Sequence, residues 1–358
     1  MTKIFIKIAL FIIPYFAVSM AAAFLPLNFF TFRVWEGMLV YKRSPLLPGP
    51  FYPNRKIAMI EEGDLGHGTP YAIKKPVRWE TDRYGYRTAD TEGYPEIVVI
   101  GDSNIVGSSL SQEHIFSEVL QRKLQRSVYP YAPGDFNNFL RDPRFSLHPP
   151  KVVIFEQLER DILHSTPLRV LKPKHANRWA ENPLLSWVAV VVDRMLKCEP
   201  VNFLKARITP KTLGMRYNNI FFFQGDGAVK DADPKEIGKT VAVLDQYRDY
   251  LKKRKIQFIY LPIPNKETIY FDCLPSGRRS TVLQQVLAEL GRTEVAMIDL
   301  LKAYEKKRQM GVMPYQRDDT HWNEVGVDIA AQLVAERIRE QLLPDNSAAV
   351  SGNVTSAE

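Results

Sequence analysis

Two short segments, far apart in this chain, hold the residue types of an acyl-transfer site. Residues 97–104 read Ile-Val-Val-Ile-Gly-Asp-Ser-Asn, and residues 318–323 read Asp-Asp-Thr-His-Trp-Asn. A serine hydroxyl is a weak nucleophile until a base takes its proton, and the base needs an acid to fix its tautomer. Ser103 offers the hydroxyl at the end of a β-rich run. His321 offers the imidazole, and Asp318 and Asp319 are both spaced to accept from its far nitrogen. Gly-Asp-Ser alone is matched by many ordinary turns, because Asp, Ser and Asn are turn formers. The second segment is what makes the pair a candidate site. A metal reading of the same Asp-x-His cluster lacks further ligands at regular spacing, and no cofactor is expected.

The elements that must position these residues follow from hydrophobic periodicity. Short β-rich runs at 97–100, 152–155, 256–263 and 295–298 alternate with helical spacings. The helix faces are Phe116, Val119, Leu120 and Leu124, then Val243, Leu244, Tyr247 and Leu251, then Val282, Leu283, Val286, Leu287 and Leu290. A last face holds Ala330, Val334, Ile338 and Leu342. Such alternation predicts an α/β fold: a flavodoxin-like three-layer αβα sandwich with a mostly parallel sheet. Ligands of such sheets bind at the carboxyl ends of the strands. Ser103 directly follows the first strand, with Gly101 easing the turn. His321 follows the last expected strand and precedes the last helix, where Asn323 can act as N-cap. Backbone N–H groups at the first turn can face a developing oxyanion.

Composition is that of a globular protein: 45% hydrophobic and 25% charged residues, with a net charge of +8. No basic tract interleaved with aromatics stands out, so nucleic acid is not an expected partner. Residues 1–32 read as a membrane anchor or signal segment. No charged side chain falls between 8 and 32, Lys3 and Lys7 precede the run, and Arg33 follows it. Ala21-Ala22-Ala23 would suit cleavage of a secretory signal, the alternative to an uncleaved anchor. Either reading sends the rest out of the cytoplasm. Residues 33–95, rich in Pro, Gly, Tyr and Trp, read as an extracytoplasmic lead-in of turns and short strands. The main domain is 96–343. It is interrupted at about 162–240 by an insertion with a helix candidate at 184–196 and a Gln224-Gly225-Asp226-Gly227 turn that could close a hairpin after 221–223. Residues 344–358 read as a disordered tail. Cys198 and Cys273 permit one disulfide or two free thiols.

Gly101-Asp102-Ser103 followed late by Asp319-Thr320-His321 resembles the SGNH (GDSL-type) hydrolase superfamily. Asp319-Thr320-His321-Trp322 is similar to the Asp-x-His-Trp signature of its alginate O-acetyltransferase branch, and 262–270 (Pro-Ile-Pro-Asn-Lys-Glu-Thr-Ile-Tyr) to that branch's Pro-x-Lys segment. Thr81-Asp82-Arg83-Tyr84-Gly85-Tyr86-Arg87 is similar to the lead-in that often precedes such domains. The resemblance covers roughly 81–343. It implies Ser103 as nucleophile, His321 as base and Asp319 as orienting acid, with Asp318 as the alternative acid. The family's oxyanion hole combines the serine N–H with a glycine and an asparagine. Gly134 could be the glycine. Where the asparagine is expected, 156–161 read Glu-Gln-Leu-Glu-Arg-Asp; Arg160 or Gln157 could donate instead, the alternative for both being a salt-bridging surface role. The alginate enzymes also carry the serine and the Asp-His pair in a different chain order.

The resemblance implies an O-acyltransferase or esterase that moves acetyl groups on or off a polysaccharide outside the cytoplasm. As a transferase it would work with a polytopic membrane protein that delivers the acyl group. The alternative is a non-catalytic carbohydrate-binding or scaffold protein of a polysaccharide acetylation or export machinery, in which Trp79, Trp322 and the tyrosines stack on sugar faces. A thioesterase or lipase is a third reading.

Overall fold

In a computed structural model, residues 2–40, 46–90, 93–169, 182–197 and 214–342 are described. The nine strands are β1 (Lys56–Glu61), β2 (Lys75–Glu80), β3 (Ile97–Ile100), β4 (Val128–Tyr131), β5 (Val152–Leu158), β6 (Met215–Tyr217), β7 (Ile220–Phe222), β8 (Gln257–Ile263) and β9 (Ala296–Met297) among the described residues. The α-helices are α1 (Thr2–Ala23), α2 (Val34–Met38), α3 (Ser103–Val106), α4 (Phe116–Leu124), α5 (Phe136–Leu140), α6 (Pro143–Leu147), α7 (Pro183–Leu196), α8 (Pro234–Lys252), α9 (Lys266–Ile269), α10 (Val282–Leu290), α11 (Leu300–Gln309) and α12 (Glu324–Leu342).

Five strands form the central sheet in the order β4-β3-β5-β8-β9, and every neighbouring pair is parallel. All four residues of β3 are buried, as a central strand covered on both faces requires. Numbered by their position in the chain, the strands run 2-1-3-4-5, the flavodoxin-like order, and the direction of winding reverses between β3 and β5. Right-handed crossovers in opposite directions from that point place helices on both faces. Accordingly α4 packs with α12, and α8 with α10. Tyr247 of α8 illustrates the filling: it stacks on Phe136 and meets Phe155 of β5 edge-on.

Several elements differ from expectation. Strand β4 carries Pro130 and only four residues, so its sequence signal is weak, yet all four are buried beside β3. Helix α11 lies between β9 and the His321 loop, and its charged sequence hides the apolar face set by Leu300, Leu301 and Tyr304. The hairpin in the insertion closes at Asn218-Asn219, both at positive φ, and not at the following Gln-Gly-Asp-Gly run, which forms a 3-10 turn instead. The insertion as expected ends inside α8, so residues 234–240 belong to the sandwich. The lead-in is no spacer. Strands β1 and β2 pair antiparallel, and Phe51, Trp79 and Tyr86 share the main core.

Helix α1 has 22 residues, and the side chains of most of its first half lie outside the described set. Among the described residues no helix is long and apolar enough to cross a membrane, so the expectation of a span at 1–32 rests on the sequence. Cys273 is a free thiol, while Cys198 and the expected disordered tail lie outside the described residues.

Candidate active site

The reversal point of the winding leaves a crevice outside the ends of β3 and β5, and Gly101-Asp102-Ser103 sits there. Gly101 is required sterically: a Cβ would lie 2.4 Å from both Glu156 Oε2 and Ile105 Cγ1. Asp102 caps α3 by accepting from the Asn104 N–H, a short-range bond that fixes the turn and sets Ser103 as the first helical residue.

The His321 loop arrives from the far end of the chain. His321 Nε2 lies 2.7 Å from Ser103 Oγ, across 218 residues of sequence. On its other side Nδ1 lies 2.5 Å from Asp319 Oδ1, which also accepts from the His321 N–H at 3.0 Å. Asp319 Oδ2 accepts from Ser109 Oγ at 2.8 Å and from the Asp64 N–H at 3.0 Å. Burial by itself would raise the Asp319 pKa. The charge and hydrogen bond of His321, with Arg33 and Lys75 nearby, outweigh it and hold the carboxyl well below the usual range. Asp318 faces elsewhere: it accepts from the N–H groups of Gly63 and Ile73 and pairs with Lys75 at 3.3 Å.

Four hydrogen bonds from two buried side chains hold these segments together. The indole N–H of Trp322 donates to the carbonyl of Asn104 at 3.2 Å, joining the residue after the histidine to the residue after the serine. Lys266 is buried and its Nζ donates to the carbonyls of Gln316, Arg317 and Asp319, gathering the loop from below. Burial lowers the Lys266 pKa to about 8, against the pull of Asp319, Glu267, Asp64 and Asp318. Trp322 is fully buried against Phe116, and Trp79 is buried under the Arg87 guanidinium. Neither is available to a sugar face, which corrects that expectation.

Sequence reasoning missed what the lead-in contributes. Asp64 accepts from the Thr320 N–H and hydroxyl, both at 2.8 Å, and its Oδ2 lies 3.9 Å from His321 Nδ1. Buried Arg33 pairs with Asp64 at 3.7 Å and donates to Ser108 Oγ. Burial, then repulsion from Asp319, raises the Asp64 pKa. Arg87 spends its guanidinium on the turn after the serine, donating to the carbonyls of Val106, Gly107 and Leu110 at 2.6–2.9 Å. No local pattern marks Arg33 or Asp64; charged residues in a loop-rich stretch look like ordinary surface charges. Asp64, Asp319 and His321 place one ligand atom each within 4.8 Å, but Asp64 Oδ2 is bonded to Thr320 and Asp319 Oδ1 to His321, so these atoms already have protein partners.

The proposed oxyanion donors fare differently. The Gly134 N–H donates to the Gly101 carbonyl at 3.0 Å and is thereby engaged. Arg160 packs over Phe223 and pairs with Asp161, beside a cavity lined by Glu159, His164, Lys230 and Asn265; none of these contacts involves Ser103 or His321. Gln157 accepts from Tyr260 and Ser165. Glu156 stands at the crevice instead, buried, with Oε2 accepting from the Asp102 N–H at 2.9 Å and Oε1 unpartnered. Burial, then the charge of Asp102, pushes its pKa well above the carboxylate range.

A serine, a histidine and an aspartate bonded in series at the end of a parallel sheet is the arrangement that nucleophilic acyl chemistry uses. Residues 220–357 match the family model for the SGNH hydrolase-like domain of the acetyltransferase AlgX. Two relatives named "Probable alginate O-acetylase AlgJ" align with this chain. The protein from Pseudomonas putida is 28% identical over 109 residues, covering 29% of this chain and 28% of its own length. That from Pseudomonas syringae pv. tomato is 26% identical over 118 residues, covering 32% and 30%. The aligned part is thus under a third of each relative. An acetyl xylan esterase from Butyrivibrio proteoclasticus superposes at a TM-score of 0.31 and 12% identity, covering 76% of this chain and 68% of its own. A superposition this loose leaves the fold assignment resting on the sheet itself. By this family model and these relatives, the chain is similar to the SGNH hydrolase superfamily and to its alginate O-acetyltransferase branch.

Proposed function

We propose that this protein is an extracytoplasmic O-acyltransferase or esterase that moves acetyl groups on a polysaccharide through an acyl-serine intermediate. The observation that carries the reading is the unbroken series Ser103 Oγ, His321 Nε2, His321 Nδ1, Asp319 Oδ1, with separations of 2.7 and 2.5 Å. In the first half-reaction Ser103 Oγ attacks the acyl carbonyl as its proton passes to His321 Nε2. The tetrahedral intermediate collapses, the bond to the leaving oxygen breaks, and that oxygen takes the proton from His321. In the second half a sugar hydroxyl, or water, gives its proton to His321 and attacks the acyl carbon. Ser103 then leaves and regains its proton. Asp319 stays ionised and holds the imidazolium. The Ser103 N–H, at the start of α3, is the proposed oxyanion donor from this segment.

The likeness to alginate O-acetylases supports a polysaccharide as the acyl carrier or acceptor. As a transferase the protein would receive its acyl group by way of a polytopic membrane partner, and the apolar segment at 1–32 would anchor it beside that partner. Buried Trp79 and Trp322 weigh against the scaffold reading, while the assembled Ser103-His321-Asp319 series favours catalysis. A fluorophosphonate probe should label the wild type at Ser103, and Ser103→Ala should lose both labelling and acetyl release from an activated ester. Full labelling of the alanine variant would overturn the assignment.

A further inference from the structure

We infer that α7, in the insertion, is a second membrane-contacting element that lies on the lipid surface beside α1. The inference rests on the reading of the N-terminal segment as a membrane anchor. Leu184, Val188, Val192 and Leu196 recur every four residues on α7, and all four are exposed. They form a stripe along one side of the helix, and Leu185 and Trp187 widen it. A stripe of this kind normally faces a core; here the opposite face does so, through Ser186, Ala189, Val190 and Asp193.

No charged side chain breaks the exposed face. The charged residues at its carboxyl end are turned inward: Asp193 accepts from the Tyr52 hydroxyl at 2.9 Å, and Lys197 donates to the Gly37 carbonyl. Arg194 donates to the carbonyls of Ala22, Ala23 and Leu25, so α7 is tied to the end of α1 where the chain would leave the bilayer. Trp187 meets Phe24 at 6.3 Å, an aromatic pair at the level where such rings concentrate in membrane proteins. The exposed surface continues onto α1 through Leu10, Ile13, Phe16 and Val18.

Length decides how α7 would lie. Fourteen residues make a helix of about 21 Å, short of the roughly 30 Å of a hydrocarbon core, so α7 rests in the interface plane and does not span. The occupant of this face is therefore the acyl and headgroup boundary of a bilayer. Its effect is to fix the orientation of the domain on the membrane, which a single helix leaves free to swivel.

The test uses the full chain with Cys198 and Cys273 replaced by serine, reconstituted in phosphatidylethanolamine–phosphatidylglycerol vesicles. The fluorophore NBD is attached at Val188→Cys, at Val18→Cys on α1, or at exposed Leu147→Cys on α6. Fluorophosphonate labelling of Ser103 confirms that each variant is folded. Position 188 should show blue-shifted emission, quenching by nitroxide-bearing lipid and protection from iodide, as should position 18, while position 147 stays open to iodide. Iodide quenching at 188 with lipid quenching at 18 would overturn the inference and leave the anchor standing. Protection at 188 from both quenchers would overturn it in favour of a protein, a second copy included, covering the face. Absence of lipid quenching at both 18 and 188 would sink the anchor reading and this inference with it.

Discussion

The two neighbouring aspartates have different partners, and asparagine substitutions separate the roles proposed for them. Asp319→Asn keeps shape but removes the charge that stabilises imidazolium and favours the wrong tautomer, so kcat should fall by about four orders of magnitude with little change in KM. Asp318→Asn should leave kcat close to wild type. Its cost is in stability, on the order of 1–3 kcal/mol, because a buried amide replaces a carboxylate that serves two N–H groups and Lys75. Chemical denaturation beside ester turnover reads both. Asp64 stands between these cases. It acts on His321 through Thr320, so Asp64→Asn should lower kcat moderately, by about tenfold, and shift the pH–rate profile, while Asp64→Ala does more. A flat response to Asp64→Asn in kcat and in the profile would mark the contact as merely structural.

At the scale of elements, the site is held by bonds between segments that are remote in sequence, and this decides what the sequence could reveal. Strand β3, the Gly-Asp-Ser turn and the Asp-Thr-His-Trp loop were legible because each carries a local signature. The alternation of strands and helices located four of the five sheet strands, and missed β4 because a proline in a four-residue run breaks the pattern. Gly134 and Arg160 are expected as oxyanion donors from their place in the chain, but that place does not say which partners they meet: the Gly134 N–H donates to Gly101, and Arg160 lies against Phe223 and Asp161. Glu156 was passed over as part of the missing-asparagine stretch, yet it buttresses the nucleophile turn. Its pKa in the folded protein lies above the ordinary value of 4.5, so the folded state holds a proton that the unfolded chain releases. Its contribution favours folding below about pH 4.5 and is lost as pH rises towards the folded-state value. Glu156→Gln mimics the protonated form and keeps an acceptor for Asp102. Its melting temperature should match wild type near pH 4 and exceed it increasingly from pH 5 to 8. Glu156→Ala should be less stable than wild type near pH 4, where Glu156 itself is mostly protonated in both states. Parallel melting curves for wild type and Glu156→Gln across that range would contradict a proton on Glu156.

At the scale of the whole molecule, the proposed chemistry and the proposed tether belong to different parts of the chain. Ser103, His321 and Asp319 all belong to the sandwich and its loops, and Arg33, which supports Asp64, is the first residue after the apolar segment. Deleting residues 1–32 therefore removes α1 while leaving each of these side chains in the chain. Helix α7 loses its companion, and Arg194 loses the carbonyls of Ala22, Ala23 and Leu25. The purified deletion variant should still label with fluorophosphonate and release acetyl groups from an activated ester at a rate within a few-fold of the full chain, and it should aggregate more readily because the apolar face of α7 lies open. In cells, exported by a cleavable signal, the same variant should fail to restore the acetyl content of the polymer, since an acyl group delivered at the membrane no longer meets a tethered serine. Polymer acetylation at the wild-type level, with the variant found free of the membrane, would show that anchoring has no part in the reaction.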